Sequence, residues 1–518
     1  MKSKTVLLTL LAGLLLPSFA TAELRLPAIL NDHMVLQQKQ ANPIWGWDTP
    51  GTEVTVTFAG QNKKATAGED GKWTVKLDPV PANADPAEIT IKGSSERKIA
   101  DVLVGEVWMC SGQSNMGMIV AGDWKAQVES LASNHPNLRL MTVPRVGTQD
   151  LKDDFKGQWE AANPENCKSF SAVGFFYGRY LHEILGVPVG LINNSWGGSA
   201  AEAWVRRDAL EADDRFASLM ETWETREVTL QSEATQKKYE ADLATWKEKV
   251  AEAKAAGKPA PRGPRSPSSL LEGNARPGNI FAGMVHPTLG YGMKGVIWYQ
   301  GESNAGRAHE YRSLFPYMIE QWRKEWGQGD FPFYWVQLAD FRDELAEPGD
   351  SQWAELREAQ TMTMSLPNTG EAVIIDIGEA NDIHPKNKYD VAARLVRWAL
   401  AKDYGIPNIN PQSPTYEDMS VTGKKVSLTF AHATGGLRTF DVNEVRGFAI
   451  CGEDKKWVWA DAKITGANTI DVWSDAVAQP IAVRYAWAEN PVCNVLSKDG
   501  LPMTPFRTDD FPMITAPK

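Results

Sequence analysis

Residues 101–118 read DVLVGEVWMCSGQSNMGM. The first half is an almost unbroken apolar run, the pattern of a strand covered by helices on both faces. It stops at Gly112, Gln113, Ser114 and Asn115 before the chain turns apolar again. An ordinary loop has that composition. So does a strand-to-helix turn that lifts a serine hydroxyl out of a sheet toward a base. The rest of the chain has to separate the two.

Upstream, the text alternates. EVTVTF (53–58), KWTVKL (72–77) and EITIKG (88–93) place apolar and polar residues in turn, between clusters of Gly, Asp, Asn and Pro. Period two with turn chemistry predicts a small antiparallel sandwich over residues 23–100. Downstream, SAVGFFYGRYLHEIL (171–185) has helical spacing. VPVGLINNS (187–195), MKGVIWYQ (293–300), FPFYWVQL (331–338) and EAVIIDIG (371–378) read as buried strands, with helical segments between them. Strands alternating with helices predict a doubly wound α/β domain over residues 101–405. A charged helical insertion, closing in the Pro-rich GKPAPRGPRSPSS, interrupts it at about 207–270. Short alternating strands return over 406–518 and predict a second β-rich module.

Within the first 22 residues, Lys2 and Lys4 precede an apolar run from Val6 to Leu16 and then Ala20-Thr21-Ala22. This predicts a secretory signal peptide and a secreted or periplasmic protein. The run is too short to cross a bilayer, and no later segment is apolar enough. The 518-residue chain carries a net charge of −11, or −13 without Lys2 and Lys4. An acidic chain with no basic stripe argues against nucleic acid and anionic membranes as partners. Cys110, Cys167, Cys451 and Cys493 are too far apart for a CxxC metal site, and export leaves a Cys451–Cys493 bridge open. No HExxH, EF-hand, P-loop or Rossmann glycine pattern occurs, so no metal or nucleotide cofactor is expected. Oligomeric state is not legible.

Four loops end the expected α/β strands: SGQSNM (111–116), NNSWGGSAAEAW (193–204), QGESNA (300–305) and GEANDIHPKNK (378–388). In doubly wound sheets such loops meet at one crevice. Ser114 is the nucleophile candidate, against a simple helix-capping role. Met116 stands where the second glycine of a G-x-S-x-G elbow would be, which disfavours a lipase-type hydrolase. Of the seven histidines, His384 follows a strand and has Asp382 two residues before it. A carboxylate there would fix the imidazole tautomer and stabilise the imidazolium. Glu302 and Asp376 stay open as alternative acids. Asn193, Asn194, Glu302 and Asn304 around the loops point to a polar substrate, and Trp196 or Trp204 could stack on a sugar face.

Together SGQSNM, SWGGS, GVIWYQGESNA and DIHPKNK resemble the sialate O-acetylesterase group of carbohydrate esterases, within the SGNH (GDSL-like) hydrolase superfamily. GFAICGEDKKWVWADAKI (447–464) and residues 480–509 extend the resemblance over almost the whole chain beyond the leader. The resemblance implies a three-layer α/β domain with β-rich accessory modules. It implies a metal-free serine esterase that removes O-acetyl groups from sugars, such as sialic acid or xylan-type glycans, through an acetyl-enzyme. Ser114 then resembles the nucleophile, His384 the base and Asp382 the acid, although many superfamily members place the acid at the position held here by Asn381. The resemblance also implies oxyanion donors: the Ser114 amide, Gly198 or its neighbour Gly197, and the Gln300 side chain with Asn304 as rival. Asn115, Asn194, Trp196, Glu302 and Asn304 would contact substrate. A carbohydrate-binding protein with a vestigial hydrolase domain is the rival reading, motivated by the two β-rich modules; a lipase or peptidase is a second.

Overall fold

The computed structural model describes residues 23–517, so the predicted leader lies outside the described residues. Six strands open the chain: β1 (Val35–Gln37), β2 (Asn42–Trp47), β3 (Glu53–Phe58), β4 (Gln61–Thr66), β5 (Lys72–Leu77) and β6 (Asn83–Lys92). β3 pairs antiparallel with β4 and β6, and β2 with β5. The alternation read from the sequence buries one residue in two. Ile44, Val54, Val56, Trp73 and Val75 fill the space between these small layers.

β7 (Glu96–Gly112) follows as a single strand of 17 residues. Its first half pairs with β6 and β1, its second half with strands of the next domain. The boundary expected at residue 100 thus falls inside an unbroken strand. At the change of partners sits Gly105, where a Cβ would lie 1.9 Å from the carbonyl oxygen of Pro188. Only glycine lets the two backbones approach that closely.

β8 (His135–Thr142), β9 (Glu160–Ala162), β10 (Val189–Ser195), β11 (Gly295–Tyr299), β12 (Phe333–Val336) and β13 (Thr369–Ala372) complete the central sheet. Its order is β13-β12-β11-β7-β10-β8-β9, parallel throughout except for β9. The continuous apolar runs follow from burial on both faces. Val107, Met109, Val296, Trp298, Phe333 and Trp335 point into one core, under helix Ala308–Trp326. Trp108, Cys110, Ile297, Tyr299, Tyr334 and Val336 point into the other, under helices Ala172–Leu185 and Lys388–Trp398. Each fully buried side chain of this kind contributes about 1.5–3 kcal/mol, so the layered arrangement dominates the stability of the domain.

The strand expected at 371–378 is shorter. β13 ends at Ala372, and Val373 and Ile375 turn into the core of the C-terminal module instead. Asp376 therefore lies in a turn, where it receives two bonds from Arg394 at 2.6 and 2.7 Å. The insertion forms helices Ala217–Gln231 and Glu233–Ala255. The first buries Leu219, Met220 and Trp223; the second buries nothing and carries Lys237–Glu233 and Lys238–Asp242 pairs one turn apart. The Pro-rich loop folds back onto it, with the Trp246 Nε1–H donating to Pro261 O at 2.8 Å. The C-terminal module holds two four-stranded antiparallel sheets. All four cysteines are free, so the bridge left open between Cys451 and Cys493 is not formed.

Candidate active site

Chain order places the crevice. From β7 the chain moves outward to β8, returns to β10, then crosses to β11 on the other side of β7. The reversal occurs around β7, so its carboxyl end is the switch point where ligands bind in such sheets. Ser111 is the penultimate residue of β7 and donates its hydroxyl to Asn194 O at 2.7 Å, tying this end to β10. Gly112 has φ of +127°, and a Cβ there would lie 2.2 Å from Tyr299 O in β11. The glycine makes room for the turn that delivers Ser114 at the start of the single-turn helix Ser114–Gly117. One turn of helix carries little macrodipole, so the helix field behind Ser114 is weak.

Ser114 Oγ lies 2.8 Å from His384 Nε2. The two residues are 270 positions apart in the chain. Asp382 Oδ1 accepts the backbone N–H of His384 at 2.9 Å and stands 3.7 Å from its Nδ1. A tautomer with Nδ1–H toward Asp382 leaves Nε2 free to accept the serine proton. The 3.7 Å separation is long for a hydrogen bond, as is common before substrate closes a site. Both side chains face water: His384 is 44% exposed and Asp382 is 42% exposed. Burial holds the His384 imidazole below its ordinary value, opposed by Asp382 and aided by Lys388. The His384 backbone N–H, together with Lys386, holds Asp382 below the usual carboxylate range.

Two residues that the sequence reading left unassigned lock this loop against the serine turn. Asn115 Nδ2 donates to Ile383 O at 3.0 Å and to Glu302 Oε1 at 2.6 Å, and its Oδ1 accepts Lys388 Nζ at 2.7 Å. Asp123 accepts the Lys388 backbone N–H at 2.9 Å. Burial pulls Lys388 down to about 7 and pushes Glu302 up. Lys388 is the last residue of the DIHPKNK motif, and its fixed place in that motif was the signal available. Asp123 had none.

Several expected ligand contacts are internal bonds instead. Gln300 is buried; its Nε2 donates to Ser199 O at 3.1 Å and to Asn304 Oδ1 at 2.7 Å, and its Oε1 accepts from Tyr311. Both amide hydrogens are used, so no donor remains for an oxyanion. Asn304, the rival donor, is buried too, with its amide on Glu202 and its oxygen on Ala201 N–H. Asn194 is buried and donates to Met284 O at 3.0 Å. Asn115 has all its polar atoms engaged. Glu302 bonds Asn115 and makes no bond to His384, and its Oε2 is shielded without a partner. Each sits where two loops cross, and the crossing consumes most of the polar groups, leaving Asn194 Oδ1 and Glu302 Oε2 buried without a partner among the described residues. Trp204 is buried against Trp298 and Trp322 and presents no face.

What remains open toward Ser114 is backbone. Ser114 is the first helical residue, so its N–H has no partner within the helix. A Cβ on Gly197 would lie 3.2 Å from the Ser114 Cβ, which puts the glycine loop directly beside the serine. Gly198 is exposed at φ of +71°, and among the described residues neither glycine N–H is engaged. Asn274 fixes this loop by donating to Gly197 O at 2.5 Å. Trp196 is half-buried at its edge. On the opposite rim Trp124 is 60% exposed, with its backbone N–H on Lys386 O at 3.2 Å.

Residues 280–391 match the family described as carbohydrate esterase, sialic acid-specific acetylesterase. The chain is 30% identical to the sialate O-acetylesterase of Mus musculus, over 93% of this chain and 94% of that one. It is 29% identical to the sialate O-acetylesterase of Homo sapiens, over 93% and 92%. A crystal structure of a carbohydrate acetylesterase from Xanthomonas citri superposes with a TM-score of 0.79 at 36% identity, covering 94% of this chain and all of that one. A serine, a histidine and free backbone amides at the switch point of an α/β sheet thus occur in a sequence alike from end to end, and the chain belongs to the sialate O-acetylesterase family of carbohydrate esterases, which are carboxylic ester hydrolases.

Proposed function

We propose that this protein removes O-acetyl groups from sugars by way of a serine-bound acetyl-enzyme, and that it does so outside the cytoplasm. The 2.8 Å contact between Ser114 Oγ and His384 Nε2, beside unoccupied backbone N–H groups, carries the reading. His384 takes the Ser114 proton as Oγ attacks the acetyl carbonyl. The tetrahedral oxyanion is held by the Ser114 and Gly198 N–H groups, with Gly197 beside them. Preorganised amides of this kind act on charge that exists only in the transition state. His384, now protonated and steadied by Asp382, gives its proton to the departing sugar hydroxyl. Water activated by His384 then attacks the acetyl carbonyl, and acetate leaves as Ser114 regains its proton. Trp124 and Trp196 at the rim offer aromatic faces to a sugar ring. The leader sequence supports export.

Acetate release from a panel of O-acetylated glycans tests the proposal. Wild type should act on O-acetylated sialosides or on acetylated xylan, and fail on amides and long-chain esters. Preference for a long-chain ester would overturn the carbohydrate reading.

The base must be unprotonated to act. Because the His384 pKa lies below its ordinary value of 6.5, the main acid limb of kcat/KM should rise with pH through a value under 6.5. A pH profile with p-nitrophenyl acetate checks this; an acid limb at 7 or above would contradict it.

A further inference from the structure

The C-terminal module meets the catalytic domain at a cavity of about 350 Å³. One wall is Leu345, from the exposed loop of residues 342–347; the others are Arg446, Trp459, Asp461, Asn490 and Val492. Trp459 is 41% exposed, and its ring is held in place by an Nε1–H bond to Ala346 O at 2.8 Å. An exposed tryptophan normally costs solvation; one that is also clamped is a presented surface. Leu345 and Val492 extend the apolar face, and both are exposed. Around it stand Arg446, Asp461 and, further along the same wall, Glu444, whose side chains make no hydrogen bond or ion pair among the described residues. An indole face rimmed by unpaired hydrogen-bonding groups matches the two sides of a pyranose ring, C–H groups on one face and hydroxyls at the edge.

We propose that this seam is a second, non-catalytic carbohydrate site that takes a neutral sugar ring. The inference rests on the substrate being a glycan. The charges choose the class of sugar: two carboxylates against one guanidinium leave a net negative rim, which repels a sialate or uronate carboxylate and accepts neutral hydroxyls. The seam also touches the catalytic loop. Asn490 Nδ2 donates to Arg342 O at 2.6 Å, and Arg342 N–H donates to Ala380 O at 2.8 Å, two residues before Asp382. Arg342 sits at φ of +81°, a left-handed conformation unfavourable for a residue with a side chain. These bonds hold it there, as at other functional loops where strain is retained.

Isothermal titration with the unacetylated probes xylohexaose, cellohexaose and mannohexaose separates this site from catalysis, since none contains an ester. Wild type should bind at least one with a Kd of roughly millimolar or tighter. Trp459→Ala should weaken that binding at least about tenfold, a loss of about 1.4 kcal/mol. Trp459→Phe keeps an aromatic face but loses the bond to Ala346, and should bind more weakly than wild type but more tightly than Trp459→Ala. Turnover of p-nitrophenyl acetate should be unchanged in both. The site is refuted if no hexaose binds wild type, if Trp459→Ala binds like wild type, or if Trp459→Phe loses as much as Trp459→Ala. Turnover of the small ester by wild type reports the catalytic reading on its own, so loss of hexaose binding with intact turnover sinks only this site.

Discussion

Ser114→Ala is expected to lower kcat for acetyl-ester hydrolysis by about 10⁶-fold, with an unchanged circular-dichroism melt. The side chain is half-buried and, among the described residues, its hydroxyl bonds only His384, so truncation removes almost no packing. His384→Ala should fall to the same floor. On the proposed mechanism nucleophile and base act in one step, so the double variant should be little worse than either single change. Losses that multiply would mean that the two side chains serve different steps, and the 2.8 Å contact would then be incidental.

The second large effect is expected at Asp382. Asp382→Asn keeps the shape of the loop but can present an amide N–H to His384 Nδ1, favouring the tautomer with its proton on the wrong nitrogen. A buried aspartate in the serine-protease arrangement is worth about 10⁴ in kcat. Here the carboxylate is 42% exposed and 3.7 Å from the ring. Water screens such a charge, so the expected loss is about 10³-fold, measured as kcat with KM little altered. Glu302→Gln should leave kcat within about tenfold, because Glu302 bonds Asn115, makes no bond to His384 among the described residues and supplies no transition-state contact. A severe Glu302→Gln phenotype beside a mild Asp382→Asn would reverse the assignment of the acid.

The layered fold was legible because burial on both faces of a parallel sheet leaves a mark that no other arrangement leaves: 4–6 apolar residues in a row, bounded by glycine and polar loops. The meeting of residues 114 and 384 was legible for a related reason, since a parallel sheet gathers all its carboxyl ends on one edge. The polar residues of those same loops were misread. Gln300, Asn304, Asn194, Asn115 and Glu302 looked like groups waiting for a ligand. In the structure they are the hydrogen bonds by which one loop crosses another, and which loop crosses which is set by tertiary packing that the local text does not carry. The donors left without a partner beside Ser114 are backbone N–H groups, which every residue but proline owns and which therefore leave no trace in composition. Strand ends were also misjudged where a neighbouring module supplied burial, as at Val373 and Ile375.

The passage of β7 through two modules has a consequence for how this molecule comes apart. Residues 96–104 are laced into the N-terminal sheet and residues 106–112 into the central one, with no loop between. A hinge needs a few residues free of ladder bonds, and within this strand only the bulge at Ala100 and Asp101, where Asp101 sits at φ of +54°, interrupts the ladder. Loss of the N-terminal module would expose one half of the strand whose other half carries the turn to Ser114, so the two are expected to melt together in a single calorimetric transition. The first eighty described residues are a foundation of the nucleophile turn and cannot be shed, swapped or trimmed as an appendage.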